Sequence, residues 1–342
     1  MLALWRHPKL EAALQIGRQR HMETTRLGSS GLRVSRLALG CLSFGDPQRS
    51  EHSWALNDEA AEPLFRQAVE LGITLWDTGN IYGAGSSEEI VGRAIRKYTR
   101  REEVVLATKL FYPAGPGPGG SGLSRRAILE QIDLSLKRLN TDYIDLYQIH
   151  RFDPDVPVEE TMEALHDVIK AGKVRYIGAS SMWAWQFAKM QHAADLGNWT
   201  RFVSMQHHYS LLQREEEREM FPLLADQQVA SLPWSPLARG KLARPWTEAT
   251  ERSSSDRYQS FYDDRGIPIV NAVEKVARER GVPMAQIAMA WVFSNPTVTS
   301  PLIGPTKPHH LVDAVEALNL KLSDDEVKQL EQHYLPQLPV EL

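Results

Sequence analysis

Cysteine is almost absent from this chain: among 342 residues only Cys41 is one. A single thiol cannot form an internal disulfide or a cysteine-rich metal centre. This usage suits the cytosol, and a cytoplasmic location with no bound metal is the expectation. Long apolar runs are also missing. The stretch 285–293 (AQIAMAWVF) is far shorter than the roughly 20 residues that span a bilayer. Nor is there an excess of positive charge: 39 Lys and Arg stand against 43 Asp and Glu, net −4. Nucleic-acid binders carry a basic surplus or stripe, so neither membrane nor nucleic acid is an expected partner. Hydrophobic residues at 42% and charged residues at 24% are ordinary globular values and exclude a mostly disordered chain.

The length suits one large domain or two ordinary ones. Residues 1–21 (MLALWRHPKLEAALQIGRQRH) stand apart. They lack the unbroken apolar core and small-residue cleavage site of a secretory signal. They read as an extension ahead of a fold that begins at Met22. From there strand-like runs alternate with amphipathic stretches. The runs are 32–40 (LRVSRLALG, after a Gly-Ser-Ser-Gly turn that marks a hairpin), 72–77, 103–109, 143–150, 174–180, 202–206, 229–235 and 298–304. Each is short and continuously apolar, as strands buried on both faces require. Helical patterns fill the gaps at 59–72, 87–98, 124–140, 158–173, 183–197, 215–227, 269–281 and 307–318. Eight strands, each followed by a helix, predict an α/β fold: a (β/α)8 barrel over 22–342 with an N-terminal β-hairpin. Two long loops, 111–123 after the third strand and Ala238 to about Gly266 after the seventh, fall on the C-terminal face, where barrel chemistry sits.

One motif is set aside. Gly115, Gly117 and Gly120 match G-x-G-x-x-G, but Pro116 and Pro118 remove backbone donors that a pyrophosphate needs. The first βα turn, where a Rossmann fingerprint belongs, lacks the pattern. The loop reads as a lid.

Chemistry is carried by strand ends. Asp77, Lys109 and His150 each close an apolar run, and Tyr82 lies five residues past Asp77. A free tyrosine, with a pKa of about 10, donates a proton poorly at neutral pH. A nearby ammonium lowers that value. A carboxylate keeps the lysine charged and in place, and a neutral imidazole can orient a substrate oxygen. The four form a general acid with its tuning shell.

The chain resembles the aldo-keto reductase superfamily from about Arg26 to His333. The resemblance rests on LGCLSFG (39–45), DTGNIYG (77–83), SSEEIVGRAI (86–95), VVLATK (104–109), LKRLNTDYIDLYQIH (136–150), GKVRYIGASS (172–181), PWSPLARGKL (233–242) and PLIG (301–304). Within it, SPLARG and QIHRFD are most similar to bacterial oxidoreductases akin to potassium-channel β subunits. The resemblance implies a barrel that binds extended NADPH without a Rossmann fold, and a tetrad on Asp77, Tyr82, Lys109 and His150. It further implies that Ser180, Ser181 (where Asn is common) and Gln206 meet the nicotinamide carboxamide, and that Trp234 stacks on its ring. Ser235, Leu237, Gly240 and Lys241 would line the pyrophosphate. In the turn after the last strand, Gly304, Thr306 and Lys307 match an adenosine-phosphate site. His310 stands there in place of Gln or Arg, and Asp313 in place of Glu. Ala314 replaces a common Asn.

The expected reaction is NADPH-dependent reduction of a small aldehyde or ketone, with Phe44, Trp54, Phe152 and Trp183 as candidate pocket residues. Three alternatives stand beside it at this stage. Lys109 could form a Schiff base in a lyase, which needs a depressed lysine pKa. The protein could be a slow, redox-sensing regulatory module. Glu159 and Glu160 could serve a glycosidase, although they read as a helix first turn. A homo-oligomer is left open.

Overall fold

The computed structural model describes residues 22–115 and 117–339, so the expected extension over 1–21 and Pro116 lie outside them. A hairpin opens the fold, with β1 (Thr24–Arg26) antiparallel to β2 (Arg33–Ser35). Its turn needs Gly28. The residue has φ +60, and a Cβ there would lie 2.6 Å from the Val203 carbonyl oxygen and 2.7 Å from that of Gln228.

Eight parallel strands follow: β3 (Ala38–Gly40), β4 (Leu75–Asp77), β5 (Val105–Leu110), β6 (Ile144–Ile149), β7 (Val174–Ser180), β8 (Ser204–His208), β9 (Ala230–Trp234) and β10 (Leu302–Ile303). From β3 to β9 each pairs with the next in sequence, and β10 pairs with β3. The ring closes where Thr299 N–H donates to the Ser231 carbonyl at 2.9 Å, beside a parallel bridge between Ser231 and Val298. This is a (β/α)8 barrel. The surrounding helices are α1 (Asp58–Glu70), α2 (Ser86–Tyr98), α3 (Arg125–Leu139), α4 (Val158–Lys170), α5 (Ala184–Gly197), α6 (Met220–Gln227), α7 (Glu251–Ser255), α8 (Ile267–Arg280), α9 (Met284–Ser294), α10 (Pro308–Ala317) and α11 (Asp324–Glu331).

Two elements differ from the sequence expectation. Residues 215–217 form a 3₁₀ turn, and α6 begins only at Met220, with Pro222 tolerated in its first turn. The apolar run noted at 285–293 is the helix α9. It is apolar on all sides because it packs between α8 and α10, leaving Ile287 to Val292 buried.

Strand periodicity positions the site. Side chains two apart on a strand share a face. Ala38, Leu75, Val105, Ala107, Leu146, Ala230, Leu232 and Leu302 form one apolar cluster with Leu27 and Val34 of the hairpin, which plugs the N-terminal mouth. Two residues further along the same faces come Asp77, Lys109, Gln148 and Trp234. The lower layer is dry filling, and the layer above it is polar.

The helix ring depends on close approaches. A Cβ on Gly92 in α2 would lie 2.2 Å from the Leu139 carbonyl oxygen at the end of α3. Backbone cannot yield as a flexible side chain does. Gly92→Ala should therefore destabilise the fold by about 2 kcal/mol, because overpacking outweighs the helix-propensity gain of about 1 kcal/mol. Denaturant unfolding checks this. An unchanged midpoint would mean that α2 and α3 separate without cost.

Candidate active site

Asp77 and Lys109 form the base of the site, and both are buried. The Lys109 ammonium donates to Asp77 Oδ2 and, at 2.8 Å, to the Thr78 carbonyl. The second carboxylate oxygen, Oδ1, accepts from Gln148 Nε2 at 2.8 Å and from Gln206 Nε2 at 3.0 Å. Burial works against the lysine charge, but Asp77 and Tyr82 more than offset it, and the Lys109 pKa is raised. The lysine is thus a fixed cation. A Schiff-base nucleophile needs the opposite shift.

Tyr82 sits half-buried above this pair, its ring centroid 4.8 Å from Lys109 Nζ. A lowered phenol pKa was expected from the ammonium. Instead it is raised: burial pushes it up, Lys109 pulls it down by charge and hydrogen bonding, and Asp77 pushes it up again. Lys109 acts in the expected direction, and desolvation wins. The phenol therefore keeps its proton at neutral pH, as a donor must.

His150 packs edge-on to Tyr82, ring centroids 5.8 Å apart, and to Tyr112 at 4.9 Å. Burial, then Lys109 and Arg151, hold its pKa well below the usual histidine range. It is a neutral imidazole. Its Nδ1 is buried without a partner.

On the other side of the mouth, β7 and β9 end in a linked pair. Ser181 has left-handed backbone (φ +44), a conformation costly for serine. Its Oγ accepts from the Trp234 indole N–H at 3.1 Å and lies 3.2 Å from Ser180 Oγ. Trp234 stacks on His208, centroids 4.1 Å apart. Gln206, expected at a carboxamide, spends its N–H groups inward on Asp77 and on Gln148 Oε1 at 3.3 Å.

The loop after β9 then coils tightly. Ser235, Ala238, Arg239 and Gly240 all have positive φ. A Cβ on Gly240 would meet Arg244 Nη2 at 2.4 Å, so glycine lets that guanidinium cross the turn. Leu237 is half-buried beside them. Lys241 and Arg244 have lowered pKa values, first from burial; Lys241 is lowered further by the Arg244 charge. Arg252 is pushed down to about 10, by burial and then by Arg239. Lys241, Arg244 and the exposed Lys307 make no ion pair among the described residues, and Arg239 and Arg252 share one carboxylate, Asp256, at 3.2 and 3.5 Å. Cations gathered with so little counter-charge fit a polyanionic ligand such as a dinucleotide with an added phosphate. Nearby, His310 Nδ1 accepts from the Thr306 N–H at 3.2 Å, and burial and surrounding cations push the His310 pKa down to about 4. The ring is neutral and offers Nε2–H. Gly304 is exposed beside this turn. Asp313 accepts from Gln286 Nε2 at 3.0 Å, so this carboxylate is held by α9.

A family model described as the aldo/keto reductase family matches residues 36–335. The chain belongs to the aldo/keto reductase family. It is 43% identical over 341 residues to versiconal hemiacetal acetate reductase of Aspergillus parasiticus, covering 92% of this chain and 98% of that one. It is 42% identical over 363 residues to aldo-keto reductase AFTS1 of Alternaria alternata, covering 97% of each. A Schizosaccharomyces pombe protein that carries the name of an aryl-alcohol dehydrogenase is 42% identical over 337 residues, covering 91% of this chain and 95% of that one. Membership makes the chain an oxidoreductase of small carbonyl compounds, of a family that generally uses NAD(P)H. No group of three metal-ligating side chains and no helix long and apolar enough to cross a membrane occurs among the described residues.

The expected aromatics divide. Phe44 is fully buried against Phe65, ring centroids 4.6 Å apart, and belongs to the core. Trp54 is also buried: it stacks on His52 and carries the Arg252 guanidinium 4.1 Å from its ring centroid. It pins the loop after β9 to the loop after β3. Phe152 and Trp183 remain at the mouth, and Trp183 is 40% exposed. Sequence reasoning missed Trp185, 59% exposed and packed on Phe152, as well as Tyr112 and Gln148. Only Gln148 carried a signal: it lies two residues before His150, on the same strand face.

Proposed function

We propose that this chain is an NADPH-dependent reductase of aldehydes and ketones, with Tyr82 as the general acid. The observation that carries the reading is the meeting of a protonated Tyr82, a fixed Lys109 cation and a neutral His150 on one face. When bound, NADPH supplies the hydride. His150 holds the substrate carbonyl oxygen toward Tyr82 Oη, and the phenol hands its proton to that oxygen. Lys109 stabilises the phenolate left behind, and Asp77 keeps Lys109 in place. Ser180, Ser181 and Gln206 face the carboxamide, and the free face of Trp234 receives the ring. Ser235, Leu237, Gly240 and Lys241 hold the pyrophosphate, with Arg244 across the turn. Phe152, Trp183 and Trp185 suit a flat apolar substrate. The name of one relative, an aryl-alcohol dehydrogenase, supports aryl carbonyls as the class. The raised Lys109 pKa argues against the lyase alternative. Cofactor oxidation measured over aryl, alkyl and sugar carbonyls tests the reading. Turnover on aryl aldehydes above the others is expected, and no turnover on any carbonyl would end it.

Cofactor preference is a separate expectation. Thr306 and Lys307 precede α10, whose N-terminal amides add positive potential for a 2′-phosphate. No acidic residue lies in 304–312 to hold a ribose hydroxyl. Lys307→Ala should weaken NADPH by roughly 1 to 3 kcal/mol and leave NADH unchanged. Titration by tryptophan fluorescence checks this; equal weakening of both cofactors removes Lys307 from the role.

A further inference from the structure

Asp77 has two sets of partners, and only one belongs to the proton donor. Its Oδ2 faces Lys109, while its Oδ1 takes two amide N–H groups, from Gln148 on β6 and Gln206 on β8. Gln148 is fully buried. It stands beside Lys109 in the β5–β6 register and beside Gly178 in the β6–β7 register. Gly178 makes room for it: a Cβ there would lie 3.2 Å from Gln148 Cγ and 2.4 Å from Ser204 Oγ. The two ends of the Gln148 amide do different work. Its Nε2 donates to Asp77, and its Oε1 accepts from Gln206. Gln206 has two N–H groups, and both are therefore directed inward, so its Oε1 alone is left to face the mouth.

We infer that Gln148 is a positioning residue for the reaction, fixing the Asp77 carboxylate under Lys109 and setting the amide of Gln206 with its oxygen outward. Asp77 can orient the Lys109 ammonium only while its other oxygen is tied down. A hydrogen bond to a charged group in a buried site carries enough energy to hold that geometry. The oxygen of Gln206 then accepts from an N–H donor and rejects an anionic oxygen. It thus prefers a nicotinamide amide to the corresponding acid. This inference rests on the reductase reading, but the hydrogen-bond geometry stands apart from it.

Two variants test it. Gln148→Leu keeps the approximate volume and removes both bonds, and kcat should fall about 10- to 100-fold with KM for the carbonyl little changed. Gln148→Glu is the sharper probe. In its protonated form the introduced carboxyl donates to Asp77 Oδ1 as the amide does. The ionisable groups around it are Asp77, Lys109 and Cys41, with Tyr82 and His150 above. Lys109 is the cation paired with Asp77, and two buried carboxylates facing it share a proton. The folded pKa of the introduced group thus lies above its unfolded value. Its contribution to stability is present at low pH and lost as pH rises across roughly 5 to 8. The variant's kcat should approach that of the native enzyme at the acid end and fall away over the same window, on a profile the native enzyme does not share. Thermal melting should lose stability in parallel, and adding Asp77→Asn should abolish that pH-dependent loss.

The melting readout needs no turnover. If the native protein reduces no carbonyl but melting follows the predicted window, the reductase reading falls and the Gln148–Asp77 geometry stands. If the native protein is active and Gln148→Glu tracks it in both rate and melting at every pH, the positioning role is overturned. Native kcat in Gln148→Leu would overturn it as well.

Discussion

Replacing Tyr82 by phenylalanine is expected to lower kcat for carbonyl reduction by about 10² to 10⁴-fold, the usual worth of a positioned general acid. The substitution removes one oxygen. The ring keeps its edge contact with His150 and its place over Lys109. Affinity for the cofactor should be nearly unchanged, because in the proposed reading the hydroxyl serves the substrate oxygen. The pH dependence has a direction as well. Burial holds the Tyr82 pKa above its ordinary value, so the donor stays protonated through neutral and mildly alkaline pH. His150, with its pKa held far down, adds no positive charge in that range. Reduction should therefore stay flat through neutrality and decline only where the phenol ionises. Steady-state rates and cofactor titration on the variant separate the two effects. Near-native turnover would mean that another group, or water, protonates the substrate.

Lys109→Met has a second large effect, on both chemistry and stability. It removes the cation proposed to stabilise the phenolate while keeping similar volume. It also leaves Asp77 buried with amide partners alone. Breaking a buried pair by removing one member costs about 3 to 5 kcal/mol, since the remaining charge has lost its counter-ion. Activity should fall as far as in Tyr82→Phe, and the double variant should be no slower than the worse single one. Adding Asp77→Asn should restore most of the stability and none of the rate. Denaturant midpoints and kcat over this set provide the check. Additive rate losses would show that Lys109 and Tyr82 do not act as one unit, and an unchanged midpoint in Lys109→Met would show that Asp77 finds another partner.

The barrel was legible because a strand buried on both faces leaves a continuous apolar run, and eight such runs alternate with helical patterns. Asp77, Lys109 and His150 stood out because each ends a run with a charge or an imidazole. Gln148 did not, since a neutral amide inside LYQIH does not break the run. Its partner Gln206 came from the family resemblance instead. Phe44 and Trp54 were ambiguous in the sequence for a different reason. A lone aromatic after a strand has no periodicity to tell wall from core, and their surroundings, Phe65 and Arg252, come from distant segments. The direction of the Tyr82 shift was illegible too. The lysine is visible in sequence, whereas the burial that outweighs it arises only when the barrel closes.

Transfer of deuterium is the most direct test. The enzyme, loaded with reduced NADP carrying deuterium at the transferable position, is mixed with an aryl aldehyde. The alcohol formed is analysed by mass spectrometry, with Tyr82→Phe in parallel. A reductase acting through Tyr82 places one deuterium on the carbinol carbon and makes far less alcohol in the variant. Unlabelled product, equal yield from the variant, or a borohydride-trapped adduct on Lys109 in place of alcohol would contradict it.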